Sequence, residues 1–372
     1  MQIENVYEIK EGALQGRFYF TFSPDRVKIK PTPPTQTIPR ERPRILLIAT
    51  DLDPNYMAKC HMAFYCGLMQ FFDVSFFNPF TIISAGKKTD LRTCINEFCN
   101  GLDPDLILEY CAIDKSTGCF SSCIQDIVQF DGLYCLIYRD FWNLFPQNIV
   151  NFVTSAIMQR VDHILTYFPH PLFFLQKTPL LKKILYLLPC FDPAVFKDWK
   201  LEKCYDIGFL AAGTHDKSPY YPERFVLHSK LLNNSLKYLH ATHPARDIGS
   251  FHLPGEHPLV GQGFSQSINR CKSFINTGGI YKTPNPRTIE IMASNSCLFA
   301  YEHFDLGELH LVDGENYICI NDENALEKIE YYLSHPELYT TIARNAMRTA
   351  FRYHTGATRA AQFKDAIYLL SS

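Results

Sequence analysis

The chain has 372 residues, 47% apolar and 20% charged, with a formal net charge of -2. That length exceeds one ordinary core and points to two domains of roughly 150 to 200 residues. The composition excludes a disordered chain, and the near-neutral charge offers no field for a polyanion, so nucleic acid is not an expected partner. The 13 cysteines include no Cys-x-x-Cys pair. Cys60, Cys66, Cys94, Cys99, Cys111, Cys119, Cys123 and Cys135 lie scattered in apolar segments and read as buried small hydrophobes rather than metal ligands or disulfides. An odd total, with a charged Met1–Gly12 that lacks the apolar core of a signal peptide, predicts a reducing, cytoplasmic setting.

Residues 1–42 read as an N-terminal extension: Arg17 to Phe22 alternates as a strand, and Pro31, Pro33, Pro34 and Pro39 make a stiff linker. From residue 43 the pattern changes. Ile45–Ala49 is a wholly apolar run ending in a polar loop at Thr50–Asn55, a helix-spaced segment follows from about Met57 to Phe72, and Val74–Phe77, Leu106–Glu109 and Leu133–Tyr138 are further strands. Apolar runs separated by helical stretches imply a buried parallel sheet with helices on both faces, here a Rossmann-like domain over 43–190. Near its end, Leu172–Leu188 mixes Phe173, Phe174, Leu180, Leu181, Ile184, Leu185, Leu187 and Leu188 with Lys177, Lys182 and Lys183. Such a face either packs as an ordinary helix and strand or rests peripherally on an anionic membrane.

Pro189 and Pro193 mark a connector, after which a second α/β unit occupies 191–352. Its strands are Asp206–Ala212, Ile248–Leu253, Ser273–Asn276, Cys297–Tyr301 and Tyr317–Ile320. Its helices open at Pro222 and Arg287 and cover Ala325–Leu333 and Pro336–Phe351. His240, His243, His252 and His257 read as loop histidines. Residues 353–372 form a last helix that returns toward the first domain. Neither first strand is followed by the dinucleotide fingerprint, since Asp51-Leu52-Asp53 and Gly213-Thr214-His215 stand there, which disfavours a nicotinamide dehydrogenase.

The segment Tyr281–Ala293 carries the most chemistry. Asn285 suits a helix N-cap, Pro286 the first helical position, and Glu290 falls one turn in. Helix-start amides and the helix dipole favour a pyrophosphate, Arg287 adds a positive fork, and a carboxylate can accept both hydroxyls of a ribose. An ordinary capped surface helix is the alternative.

Taken in order, these segments resemble the GT-B glycosyltransferases of the group-1 type, and among them a branch similar to spore-maturation glycosyltransferases. The resemblance runs from about Val161 to Gln362. It rests on Tyr205–Leu210 followed by Tyr221-Pro222-Glu223-Arg224, on Phe274-Ile275-Asn276 before Thr277-Gly278-Gly279, on Arg287–Ala293, on Glu308 and Asp313-Gly314-Glu315, on Tyr353-His354-Thr355, and on the junction from Leu187 to Pro193. It implies two Rossmann-like domains facing across a cleft, with a sugar transferred from a nucleotide diphosphate to a glycan, lipid or other hydroxyl. No cofactor or metal would be needed, because helix amides and cations stabilise the leaving pyrophosphate. The donor-binding residues would be Gly213, Thr214, Arg224, Gly278, Lys282, Asn285, Arg287, Glu290 and Glu308.

Two departures stand out. Lys282 occupies a position where the broader group often has a second glutamate, so it would meet phosphate rather than sugar. Asn295 stands where glycine is common, a mild change because asparagine tolerates the left-handed conformation. A base for the acceptor hydroxyl would come from Asp140, after the strand Leu133–Tyr138, or from Asp51 or Asp53; each is equally readable as a helix-capping aspartate. The Asp51-Leu52-Asp53 triplet is not expected to hold a metal, because it ends the first strand of a tandem pair. A nucleotide-sugar epimerase and a catalytically inactive sugar-nucleotide-binding scaffold are the competing functions.

Overall fold

In the computed structural model, the described residues are 42–52, 61–110, 122–138, 155–167, 183–211, 221–241, 259–279, 282, 285–302 and 307–371, together with the backbone of four N-terminal strands. Those strands are β1 (Gln2–Glu4), β2 (Ile9–Leu14), β3 (Arg17–Phe22) and β4 (Lys28–Lys30). β2 and β3 form an antiparallel hairpin that pairs Ile9 with Phe22 and Leu14 with Arg17, and β1 pairs antiparallel with β4. The proline linker expected at 31–39 lies outside the described residues.

Contacts divide the chain into two units. The first comprises Met1–Pro54, Tyr65–Leu187 and Arg359–Ser372; the second comprises Asn55–Phe64 and Leu188–Thr358. In the first, six parallel strands lie in the order β10-β9-β8-β7-β5-β6: β5 (Arg44–Ala49), β6 (Asp73–Phe77), β7 (Leu106–Tyr110), β8 (Leu133–Ile137), β9 (His163–Thr166) and β10 (Ile184–Tyr186). Alternate residues are buried on opposite faces. Leu46, Ile48, Ile107, Tyr134 and Leu136 join one core cluster with Leu91, Cys94 and Ile95 of the helix Leu91–Phe98. Ile45, Leu47, Leu108 and Cys135 are buried on the other face. Each such side chain contributes about 1.5–3 kcal/mol when fully buried, which is why these strands read as unbroken apolar runs.

The second unit has five parallel strands in the order β12-β11-β13-β14-β15: β11 (Tyr205–Leu210), β12 (Tyr238–Ala241), β13 (Cys271–Asn276), β14 (Cys297–Tyr301) and β15 (Ile318–Ile320). Leu210, Phe274, Leu298 and Ala300 face one core, while Ile207, Phe209, Ile275 and Phe299 face the other. Gly208 permits the close approach of β11 and β13, since a Cβ there would stand 2.4 Å from the Phe274 ring. In both units the first strand lies between the second and the third, so connections leave it in opposite directions. The carboxyl ends of β5 and β7, and of β11 and β13, are therefore the topological switch points, where open α/β sheets bind ligands.

Several expectations change. The helix expected over 57–72 is observed as Met62–Leu68, with 53–60 outside the described residues. Cys66 is exposed, whereas Cys94, Cys99, Cys123 and Cys135 are buried; Cys60, Cys111 and Cys119 lie outside the description. His240 is not a loop residue but part of edge strand β12, its ring tilted against that of Tyr238 with centroids 4.9 Å apart. The strand expected at 248–253, and His243, His252 and His257, lie outside the described residues. The strands β9 and β10 and the helix Gly261–Asn269 were not anticipated.

At the end of the 172–188 segment, Ile184 and Leu185 are buried in β10. The Lys183 ammonium donates to the Gln159 carbonyl at 2.8 Å, at the carboxyl end of the helix Ala156–Arg160. That lysine serves a helix terminus, where a cation is favoured. Residues 168–182 lie outside the description, and no described helix is long and apolar enough to cross a membrane. The last helix, Gly356–Ser371, begins where a Cβ on Gly356 would stand 1.9 Å from the Ala63 carbonyl oxygen. Farther along it, Phe363 packs on Phe72 with ring centroids 6.0 Å apart.

Candidate functional site

Except for Glu308, the expected donor residues that can be described lie around the switch point of the second unit. β13 ends in Asn276 and continues into Thr277, Gly278 and Gly279; the helix Pro286–Ala293 follows, and the helix Pro222–Leu232 follows β11. Both helices start with proline at the first helical position, which fixes φ and spends a residue whose missing N–H would have been unpaired anyway. The helix Pro286–Ala293 is anchored by Thr288, Ile289, Ile291, Met292 and Ala293, all buried, so its first turn is held at the strand edge by its own core face.

Asn285 occupies the N-cap with extended backbone (φ -121°, ψ 159°), but its side chain makes no capping bond. The amide group turns to β13 instead: its Nδ2 donates to the Thr277 carbonyl at 3.2 Å, and its Oδ1 accepts from Asn276 Nδ2 at 3.1 Å. Asn276 Nδ2 also donates to Thr288 Oγ1 at 2.7 Å. The asparagine thus stitches the helix start to the strand end and leaves the first-turn amides without a side-chain cap, as suits a site for an anion.

Arg224 is buried. Its Nε donates to Thr277 Oγ1 at 2.8 Å, and its guanidinium lies 3.5 Å from the centre of the Tyr221 ring. Burial lowers its pKa to about 10, Tyr221 and Glu223 oppose that, and the positive charge of Arg287 adds to it. Two guanidinium groups are therefore close enough to repel across this edge, an arrangement that an anion between them relieves. Arg287 also lies 5.6 Å from the Phe264 ring centre.

Glu290 retains some solvent contact, yet its surroundings are dense enough that desolvation raises its carboxyl to about 7, against the pull of Arg287. No hydrogen-bond or ion-pair partner for it occurs among the described residues. Lys282 has left-handed backbone (φ 46°), and its ammonium pairs with Glu302 at 2.6 Å. Asn295 also adopts the left-handed region (φ 52°), which accounts for the tolerance of asparagine there. Gly278 is buried in the turn after β13. Glu308 stands exposed in the turn Gly307–His310, and no contact among the described residues joins it to these groups.

Asp53, Asp140, Gly213 and Thr214 lie outside the described residues. Asp51 is placed by its backbone in the short 3-10 turn Thr50–Leu52 directly after β5, at the switch point of the first unit. Sequence reasoning missed Glu223. Its Oε1 accepts from the Gly279 N–H at 3.0 Å. Among the described residues no cluster of three or more His, Cys, Asp or Glu could hold a metal ion.

Residues 228–365 match the family described as glycosyl transferase-like, so that segment is a glycosyltransferase domain. The match takes in Gly278 to Glu308 and begins just after Glu223 and Arg224. No curated protein matches the chain. Among solved structures, a sucrose-phosphate synthase from Thermosynechococcus elongatus superimposes with a TM-score of 0.57 at 12% identity, over 88% of this chain and 99% of that one. HepE of Anabaena, solved with UDP and glucose, gives 0.57, 12%, 88% and 99% for the same quantities. An alpha-glucosyltransferase solved with UDP and a 13-mer DNA gives 0.55 and 11%, covering 88% of this chain and 100% of that one. The chain has the GT-B fold of these glycosyltransferases.

Proposed function

We propose that the chain transfers a glycosyl group from a nucleotide diphosphate sugar, held by the second unit, to a hydroxyl of a glycan or lipid acceptor. The observation that carries this is the placement of Arg224 and Arg287 in the first turns of the two helices at the switch point, beside a glycine turn and an uncapped helix start. As the new C–O bond forms at the anomeric carbon, the bond to the diphosphate breaks and negative charge grows on phosphate oxygens. Fixed guanidinium groups and amides aimed at that position stabilise it without reorganising. This set of cations supports a metal-independent reaction. Glu290 accepts from the ribose hydroxyls, and a base drawn from Asp51, Asp53 and Asp140 takes the acceptor's proton. The domain arrangement behind this is an acceptor domain over 43–190, a donor domain over 191–352 and a returning helix over 353–372. UDP is the nucleotide with most support, since HepE and the alpha-glucosyltransferase were solved with it.

The test is release of nucleoside diphosphate from a panel of nucleotide sugars, with and without EDTA. Turnover of at least one donor, unaffected by the chelator, is expected. Failure to bind any of them overturns the proposal, and product formed from donor alone, with the sugar still attached, would assign an epimerase instead.

A further inference from the structure

Glu223 is an acidic group of the switch-point cluster for which donor recognition has no evident use. It occupies the first turn of the helix Pro222–Leu232, where an acid is favoured by the helix dipole. Its carboxylate reaches across to the loop after β13, accepting from Gly279 N–H at 3.0 Å. Burial pushes its pKa above the ordinary carboxylate range, so the contact is made at an electrostatic cost.

Asn285 Nδ2 holds the Thr277 carbonyl at one end of this loop, and the Glu223 contact holds Gly279 at the other. Gly279 has left-handed backbone (φ 67°), its carbonyl accepts from the Lys282 N–H at 3.0 Å, and Lys282 is itself left-handed. Thr277 meanwhile accepts from Arg224 Nε at 2.8 Å, so the loop that Glu223 holds also carries the arginine's partner. One carboxylate thus holds the glycine turn whose Thr277 hydroxyl directs a buried guanidinium.

Resting on the donor reading above, we propose that Glu223 is a positioning residue for the donor diphosphate: it holds the Thr277–Gly279 turn and Arg224 in the geometry the phosphates meet, without touching them. What it must supply is a hydrogen-bond acceptor at the reach of a glutamate, so the charge is dispensable and the length is not.

The experiment is calorimetric titration of the whole chain with uridine, guanosine, adenosine and cytidine diphosphates, comparing wild type with Glu223→Gln, Glu223→Asp and Glu223→Ala, alongside thermal melts. Glu223→Gln should bind the preferred diphosphate within about threefold of wild type, while the aspartate and alanine variants weaken about tenfold or more. A role confined to stability would lower melting without separating glutamine from aspartate. The inference is overturned if alanine binds as tightly as wild type or tighter, or if glutamine loses as much as aspartate. If Glu223→Ala does not fold, the glutamine–aspartate pair decides. No binding of any diphosphate by wild type overturns the donor reading and takes this inference with it, whereas wild-type binding with unaltered variants removes this inference alone.

Discussion

Both sheets place their first strand between the second and the third, yet their switch-point edges treat a carboxylate in opposite ways. In the first unit Glu109, on β7, is fully buried and satisfied: Ser122 Oγ donates to its two oxygens at 2.8 and 3.0 Å, and the Tyr134 hydroxyl donates at 2.5 Å. In the second unit the Glu290 side chain keeps a path to solvent, and its carboxylate has no hydrogen-bond or ion-pair partner among the described residues. A buried polar group with its bonds made stiffens a core, while an unpaired carboxylate beside Arg287 is a group waiting for a ligand. Composition does not separate the two glutamates; their partners do.

Breaking the satisfied side should have the largest effect on stability. Glu109→Ala strands the hydroxyls of Ser122 and Tyr134 in a closed core, at about 2–4 kcal/mol by the usual cost of unsatisfied buried groups. Thermal or denaturant unfolding should show it, while nucleotide affinity of the folded fraction stays unchanged. Affinity lost in proportion to stability would mean that the two edges are not separable in this way. On the other side, Arg287→Ala should leave melting nearly unchanged and weaken nucleoside diphosphate binding by about 1.5–3 kcal/mol, the range for hydrogen bonds to charged groups. Isothermal titration reads it directly, and intact affinity would remove Arg287 from the site.

How far this contrast could be read from sequence follows from where its determinants lie. The wholly apolar runs at Ile45–Ala49 and Cys297–Tyr301 announced buried parallel strands, and Pro222, Pro286 and Pro336 each sit at the start of an observed helix. These signals are local. β10 has only three residues, β12 is a half-exposed edge strand with no buried stripe, and the helix Gly261–Asn269 contains two glycines that mask its Phe264–Ile268 spacing. At the site, Arg287 and Glu290 were legible because a helix start fixes their geometry within one turn. Glu223 was not, since its meaning depends on Gly279, 56 residues away. Asn285 was placed correctly at the N-cap, but its side chain bonds Thr277 and Asn276, a preference decided by tertiary neighbours.

Glu290 sharpens the comparison through pH. Its folded pKa of about 7 lies above the ordinary 4.5 because burial disfavours the charged form. The native state therefore holds the proton more tightly than the unfolded chain. The stabilisation is complete below about pH 4.5 and is lost as pH rises through about 7, with roughly 1–3 kcal/mol at stake. Donor binding should run the other way, since only the carboxylate accepts from both ribose hydroxyls. Between about pH 6 and pH 8 the wild type should lose melting temperature and gain donor affinity, and Glu290→Gln should flatten both trends. Parallel trends in the two readouts would exclude Glu290 as the ribose acceptor.

The smallest effect concerns Lys282, whose ammonium pairs with Glu302 at 2.6 Å although the two side chains are 48% and 65% exposed. An exposed pair of this kind contributes only about 0.2–1 kcal/mol, so neither Lys282→Ala nor Glu302→Gln should move the melting temperature appreciably. Their effects on donor affinity should differ in sign. If the ammonium leaves Glu302 for the diphosphate, Glu302→Gln removes a competitor and tightens binding about two- to fivefold, while Lys282→Ala weakens it by a similar factor. Both differences should shrink as salt is raised, because screening acts first on exposed charges. Should the two substitutions leave affinity alike at low salt, the lysine belongs to the surface, and Arg224 and Arg287 alone carry the positive charge of this edge.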